Sequence, residues 1–140
     1  MQRIDKDQLG KVSVTGGTGF VGSYLAKRLV DESVDVRVMD NNIRGRVHRL
    51  NDYMDRLEFV EGDVCDPEQV LSACKDVDTI FHLAFINGTD NFYNIPEKVL
   101  EIGVKGAIFT LEAAMKSKVS QYVVTSSSEV YQEPTHIPTT

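Results

Sequence analysis

The sequence predicts an α/β fold, a doubly wound parallel sheet with helices on both faces, and three observations support it. Short runs rich in Val, Ile and Phe alternate with longer segments of helical period, as in successive βαβ units. A glycine-rich loop joins the first such run to an amphipathic helix. The chain has 140 residues, 41% hydrophobic and 26% charged, which is the size and composition of one globular domain.

Five strands are expected after a polar lead-in over residues 1–10. They are Val12–Thr15, Val34–Met39, Leu57–Glu61, Thr79–Ala84 and Tyr122–Ser126. Each run is short and rich in β-branched or aromatic residues, which favour strands.

Helical patterns fill the connections between these strands. An amphipathic helix is predicted over Phe20–Glu32, a short helix from Asp66-Pro67, and a long helix from Pro96. The long helix carries an apolar stripe that we interpret as its core-facing side: Leu100, Val104, Ala107, Ile108, Leu111, Ala114 and Met115. The polar, arginine-rich segment Asn41–Asp55 is predicted as a loop followed by a weak helix.

Composition and charge exclude several classes of protein. The net charge is −6 and no long basic face is visible, so nucleic acid is not expected as a partner. Cys65 and Cys74 match neither a CxxC redox pair nor a zinc ligand set, which favours reduced thiols, a cytoplasmic location and no metal site. No targeting segment and no apolar run long enough to cross a bilayer is visible, so no membrane association is expected.

The loop after the first strand, Thr15-Gly16-Gly17-Thr18-Gly19-Phe20-Val21-Gly22, matches G-x-G-x-x-G between a strand and a helix. Glycines let the backbone turn tightly and approach a pyrophosphate, and the N–H groups at the start of the next helix attract that anion. Asp40 ends the next strand, where a carboxylate accepts hydrogen bonds from ribose hydroxyls. These features predict a Rossmann-type domain that binds NAD.

Two alternatives bear on this loop. A glycine turn could serve only tight strand-to-helix packing, with Asp40 a solvated carboxylate, but loop, helix and acid would then coincide in order by chance. A P-loop is excluded because no Gly-Lys-Ser/Thr follows. Asp40 would repel a 2′-phosphate, which favours NAD over NADP, whereas Arg44 and Arg46 nearby argue in the other direction.

Four motifs in order resemble the extended short-chain dehydrogenase/reductase family, the NAD-dependent sugar-nucleotide epimerases, dehydratases and decarboxylases. The first motif is the glycine loop. The other three are Glu61-Gly62-Asp63-Val64, His82-Leu83-Ala84 and Val124-Thr125-Ser126-Ser127-Ser128-Glu129-Val130-Tyr131. The resemblance covers nearly the whole chain from Lys11 onward.

Together with the glycine loop and its acid, the resemblance implies a set of cofactor-binding positions at the carboxyl ends of the strands. They are Gly16, Gly17, Thr18, Gly19, Phe20, Val21, Gly22, Asp40, Asn41, Asp63, Val64, Leu83, Ala84 and Ser126. It also implies that Ser127 hydrogen-bonds the sugar hydroxyl that is oxidised and that Glu129 assists chemistry at the neighbouring carbon.

The residues by themselves leave structural roles open at several of these positions. Asp63 could be a turn or helix-capping carboxylate, and the serines with Glu129 could form a polar turn. We interpret His82 as a packed strand-end histidine rather than a ligand or base.

The family's proton-transfer pair, Tyr-x-x-x-Lys, does not occur here, since none of the five tyrosines has a lysine four residues later. We therefore expect residues 11–140 to be the N-terminal, NAD-binding part of a longer enzyme and to be inactive alone. Gly103 stands where relatives often carry an asparagine that helps organise a proton relay.

The expected function is an NAD-dependent epimerase/dehydratase, or decarboxylase, that acts on a nucleotide-activated sugar through transient C4 oxidation. Glu129 tilts the expectation toward a dehydratase or decarboxylase. Two other functions stay open: an NAD(P)-dependent reductase of small carbonyl compounds, and a non-catalytic NAD-binding module. The resemblance also raises a homodimer formed through the long helices.

Overall fold

In the computed structural model, residues 6–131 are described, with Lys6, Ser128 and Glu129 described by their backbone alone. Five strands form one parallel sheet in the order β3-β2-β1-β4-β5. The strands are β1 (Val12–Thr15), β2 (Val36–Asp40), β3 (Glu58–Glu61), β4 (Thr79–His82) and β5 (Gln121–Val124). The strand order reverses between β1 and β4, as in a Rossmann-type sheet, and the predicted fold class is confirmed.

Helices cover both faces of this sheet. They are α1 (Lys6–Leu9), α2 (Phe20–Asp31), α3 (Pro67–Ala73), α4 (Thr89–Asn94) and α5 (Pro96–Lys116), with 3₁₀ helices at Val47–Tyr53 and Ser128–Tyr131. One apolar core lies between the sheet and α2 with the first 3₁₀ helix, and a second lies between the sheet and α3 with α5. In the part of the chain that is described, no helix combines the length and apolarity needed to cross a membrane.

Predicted and observed strand ends differ by up to two residues. The sequence predicted that β2 begins at Val34, but the N–H of Val34 donates to the Leu29 carbonyl at 3.0 Å. Val34 therefore closes the carboxyl end of α2, and the strand starts at Val36. The helices α1 and α4 were not predicted, because short helices with little periodicity leave a weak signal in sequence.

The interpretation of the α5 stripe holds for Ala114, which is buried, but is wrong for the large residues of the stripe. The side of α5 that faces the sheet carries mainly small residues: Val99, Ile102, Gly106, Thr110, Ala113 and Ala114. Leu100 and Met115 are 67% and 74% exposed, and Val104, Ile108 and Leu111 are about half exposed. Small side chains let α5 approach the sheet closely, since a Cβ on Gly106 would lie 3.5 Å from His82 Cε1 in β4 and 3.1 Å from Val64 Cγ2 in the segment after β3.

Strand register brings the carboxyl ends together at one edge of the sheet. Thr15 at the end of β1 pairs with Met39 on one side and with His82 on the other. Asp40 pairs with Glu61 at the end of β3. All the motifs named in the sequence follow these strand ends, so the fold places them along the same edge.

Candidate functional site

A cleft of about 910 Å³ lies at the carboxyl edge of the sheet, where the strand order reverses. It is lined by the glycine loop, by the segments that follow β2, β3, β4 and β5, and by the inner side of α5. Ligands of open parallel sheets bind at such a point, outside the carboxyl ends of the strands.

Glycine is required at two positions of the loop, because other backbone segments pass very close to them. Gly16 has φ +71°, and a Cβ there would lie 2.7 Å from the Ala84 nitrogen in the segment after β4. A Cβ on Gly22, in the first turn of α2, would overlap the carbonyl oxygen of Gly16. The helix therefore begins directly against the loop, at the floor of the cleft.

The amino end of α2 is uncapped. Gly19 precedes the helix in an extended conformation, and none of the side chains described from 6 to 131 caps it. The first turn also lacks an acidic residue, and Phe20 and Val21 are largely exposed at the cleft. Unsatisfied N–H groups and the helix dipole give this end partial positive charge, so it suits an anion.

Asp40 is fixed beside the glycine loop by two backbone groups. Its Oδ2 accepts a hydrogen bond from the N–H of Thr18 at 3.0 Å, and its Oδ1 accepts one from the N–H of Asn42 at 2.9 Å. The Thr18 hydroxyl is fully buried and donates to the Asn42 side chain at 3.0 Å. A carboxylate has about four acceptor positions, so Asp40 keeps the capacity to accept from a diol in the cleft.

The segment after β2 is tied to the carbonyl of Thr18. The Arg46 N–H and the Arg49 guanidinium both donate to that oxygen, at 3.0 and 2.8 Å. Arg49 and Arg44, which belong to the same segment, both line the cleft, although neither was predicted as a site residue. The arginine-rich composition of this segment was the available signal, but composition does not say which arginine faces a cleft.

Asn41 and Asp63 join the ends of β2 and β3. The Asn41 amide donates to Asp63 Oδ2 at 3.2 Å, and Asp63 Oδ1 accepts from the N–H of Cys65 at 2.9 Å. Asp63 therefore has the turn role that the sequence left open, and it also lines the cleft with Asn41 and Val64.

The segments after β4 and β5 form the other half of the cleft. The N–H groups of Leu83 and Ala84 lie 3.2 and 3.4 Å from the carbonyl and hydroxyl oxygens of Thr15, so this segment rests on the end of β1. Ser126 and Ser127 follow β5 and line the cleft as exposed residues. Glu129 lies in the 3₁₀ helix Ser128–Tyr131, and its side chain is outside the described part of the protein.

His82 is a packed histidine, in agreement with its interpretation from sequence. It is 4% exposed, and its Nδ1 lies 2.7 Å from the Thr15 hydroxyl oxygen. Burial lowers the pKa of His82 from 6.5 to about 4, so the ring is neutral at pH 7. Among residues 6–131, no group of three or more His, Cys, Asp or Glu side chains is arranged to hold a metal ion.

An apolar part of the cleft was missed from sequence. The Phe85 ring packs over Gly103 of α5, where a Cβ would lie 2.8 Å from Phe85 Cε2. Both residues line the cleft, and Phe85 is 46% exposed. Gly103, noted only as a departure from the family pattern, thus makes room for an aromatic ring.

Comparison with known proteins gives consistent matches over nearly the whole chain. A sequence profile of the NAD dependent epimerase/dehydratase family matches residues 12–140. UDP-glucuronic acid decarboxylase 1 of Arabidopsis thaliana is 34% identical over 130 residues, which are 91% of this chain and 28% of that protein.

Solved structures show the same similarity. An epimerase from Methanothermobacter thermautotrophicus superimposes with a TM-score of 0.87 at 34% identity, over 95% of this chain and 40% of that one. A UDP-glucose 4-epimerase from Brucella ovis in complex with NAD gives 0.83 at 26% identity, over 92% and 39%. The chain spans well under half the length of each of these proteins.

Proposed function

This chain belongs to the NAD dependent epimerase/dehydratase family, and on that premise we propose that its cleft binds NAD for chemistry on a nucleotide-activated sugar. Residues 11–140 would supply the cofactor-binding part of that enzyme. The reaction we propose is epimerisation, dehydration or decarboxylation after transient oxidation at C4 of the sugar, which is lyase or isomerase chemistry. We place the enzyme in the cytoplasm, in keeping with its two free cysteines.

One observation carries this proposal: an uncapped helix end and a fixed carboxylate share one cleft. The N–H groups at the start of α2 suit a diphosphate, and Asp40 suits the adenosine ribose. Glycine at positions 16 and 22 lets the loop pack closely on the segment after β4 and on the start of α2, because a Cβ at either position would meet backbone atoms. The described residues therefore offer suitable partners for both the diphosphate and the ribose of NAD.

The remaining predicted positions take roles around these two groups. Thr18 positions Asp40 through its N–H, and Gly17 lies in the turn of the loop. Asn41, Asp63 and Val64 would border the adenine side, since they follow β2 and β3. On the opposite side the segments after β4 and β5 would border the nicotinamide side; these residues are Leu83, Ala84 and Ser126.

NAD, when bound, supplies the hydride acceptor for the sugar C4 and returns the hydride later. Ser127 would hold the sugar hydroxyl by a hydrogen bond at the cleft edge that it lines. Glu129 would serve as acid or base at the neighbouring carbon when the reaction is elimination or decarboxylation.

Calorimetric titration with NAD tests the cofactor site. We expect Asp40→Ala to weaken NAD binding about tenfold or more, because it removes the ribose acceptor and leaves the Thr18 N–H without its partner. Asp55→Ala is the matched control, since it removes an equal charge from an exposed position away from the cleft. An unchanged dissociation constant for Asp40→Ala would reject the assignment.

The sugar chemistry is tested with the protein produced from its complete reading frame. We expect conversion of at least one UDP- or dTDP-activated sugar, followed by NMR of the products. Turnover of a simple ketone with NADPH, without turnover of any nucleotide sugar, would support the reductase instead.

The exposed side of α5 supports a homodimer. Leu100, Val104, Ile108, Leu111 and Met115 form an apolar strip along one side of this helix. We expect Ile108→Glu to shift sedimentation toward the monomer, with Glu112→Gln as a control on the same helix. A wild-type protein that sediments as a monomer at all concentrations would reject the dimer.

A further inference from the structure

Arg44 reaches across the mouth of the cleft. Arg44 lies in the segment after β2. Its Nη1 and Nη2 atoms nevertheless lie 3.8 and 3.9 Å from the point where a Cβ would stand if Gly88 carried a side chain. Gly88 lies in the segment after β4, and β1 separates β2 from β4 in the sheet. The Arg44 side chain therefore spans the carboxyl end of β1, where the glycine loop begins.

The charge of Arg44 is not neutralised by neighbouring groups. Across residues 6–131 its guanidinium forms no hydrogen bond and no ion pair, and the residue is exposed. Its neighbours differ, because Arg46 donates to the Gly45 carbonyl and Arg49 to the Thr18 carbonyl. Arg44 thus keeps all five of its donors for a group in the cleft that it lines together with Gly16 and Gly19.

We propose that Arg44 binds the diphosphate of the dinucleotide from the side opposite the glycine loop. This inference rests on the proposed function, since it assumes that the cleft takes NAD. The diphosphate would then lie between the amino end of α2 and the guanidinium. A planar guanidinium can donate two parallel hydrogen bonds to phosphate oxygens, so the contact is directional as well as charged.

The direction of the side chain favours the diphosphate over the 2′-phosphate of NADP. Asp40 marks the ribose position at the end of β2, where its carboxylate binds the N–H groups of Thr18 and Asn42. Arg44 extends away from that position, toward the segment after β4. Its positive charge also offsets the repulsion that Asp40, Asp63 and a net charge of −6 exert on a diphosphate with two negative charges.

Calorimetric titrations of the whole chain with NAD, ADP-ribose, NADP and adenosine test the proposal. We expect Arg44→Gln to weaken NAD and ADP-ribose binding about tenfold while leaving adenosine binding unchanged, because adenosine lacks the diphosphate. The affinity of Arg44→Gln should also fall less steeply with ionic strength. Arg44→Lys should restore part of the affinity, and circular dichroism checks that each variant is folded.

Arg46→Gln is the matched control, since it makes the same charge change in the same segment outside the cleft lining, and we expect it to bind NAD as the wild type does. The proposal fails if Arg44→Gln binds NAD within about twofold of the wild type, or if adenosine loses as much affinity as NAD. It also fails if only NADP binding is weakened. A wild-type chain that binds neither NAD nor ADP-ribose would instead reject the proposed function.

Discussion

The amino ends of α2 and α3 differ in their capping: a side chain of the protein caps α3, and none from the described residues caps α2. The α3 helix begins after Asp66, whose Oδ1 accepts hydrogen bonds from the N–H groups of Glu68 and Gln69 at 2.9 and 3.1 Å. The Gln69 side chain donates back to Asp66 Oδ2 at 2.7 Å, and Pro67 occupies the first turn. The α2 helix begins after Gly19, with neither a capping side chain from residues 6–131 nor an acid in its first turn.

This contrast predicts a different role for each helix end. Asp66 satisfies the first N–H groups of α3 from within the chain, which stabilises the helix. The first residues of α2 instead line a cleft, and glycine at positions 16 and 22 lets the loop fold closely against this helix end. A helix end without its own cap is suited to a ligand that completes it.

The largest effect is expected from filling the glycine loop. Gly22→Ala should lower the free energy of unfolding by about 3 kcal/mol, because its Cβ overlaps the Gly16 carbonyl oxygen. Gly19→Ala is the comparison variant, since its Cβ would meet only that same oxygen, at 3.0 Å. Chemical denaturation should therefore separate the two variants, and equal losses of stability would contradict this account of the loop.

The stability of the protein should depend on pH through His82, which lies beneath the glycine loop that precedes α2. His82 contacts Thr15, from which the loop starts, and its pKa falls from 6.5 to about 4 on burial. The folded state excludes a proton that the unfolded chain binds, so stability present above pH 6.5 is lost as the pH falls toward 4, by about 3 kcal/mol in total.

Denaturation of wild type and His82→Asn across this range isolates the contribution of the histidine. The difference in unfolding free energy between the two proteins should shrink or change sign toward pH 4. A constant difference over the whole range would contradict a neutral, buried His82.

The smallest effect is expected at α3. Asp66→Ala should lower the free energy of unfolding by about 1 kcal/mol, the usual contribution of a helix cap. It should leave the NAD affinity unchanged, since Asp66 lies outside the lining of the cleft. Thermal denaturation and NAD titration of the same variant measure both effects, and a loss of NAD affinity would remove the distinction between the two helix ends.

Much of the fold could be predicted because local patterns determine it. The alternation of strands and helices and the glycine loop indicated a parallel sheet of the observed class. The prediction of the core-facing side of α5 was wrong for the large residues. Leu100 and Met115 are apolar yet exposed, whereas Gly106 and Thr110 are small and buried. The hydrophobic periodicity of a helix does not by itself distinguish an apolar face that packs on a sheet from an apolar face that stays exposed.

The candidate site likewise has some features that local sequence patterns could predict and others that they could not. The glycine loop and Asp40 could be placed together, since both follow neighbouring parallel strands and the motif fixes their order. The proximity of the Arg44 guanidinium to Gly88 could not be predicted, because it depends on how the segments on either side of β1 lie in space. The packing of Phe85 on Gly103 is likewise a contact between distant segments.

The most direct test of the central claim is an NMR titration of the ¹⁵N-labelled chain with NAD. If the uncapped end of α2 binds the diphosphate, the amide signals of Phe20, Val21 and Gly22 should move with saturating shifts. The amides of Glu68 and Gln69, already bonded to Asp66, should stay in place. Shifts at the start of α3 with none at the start of α2, or no saturable shifts at all, would contradict the account.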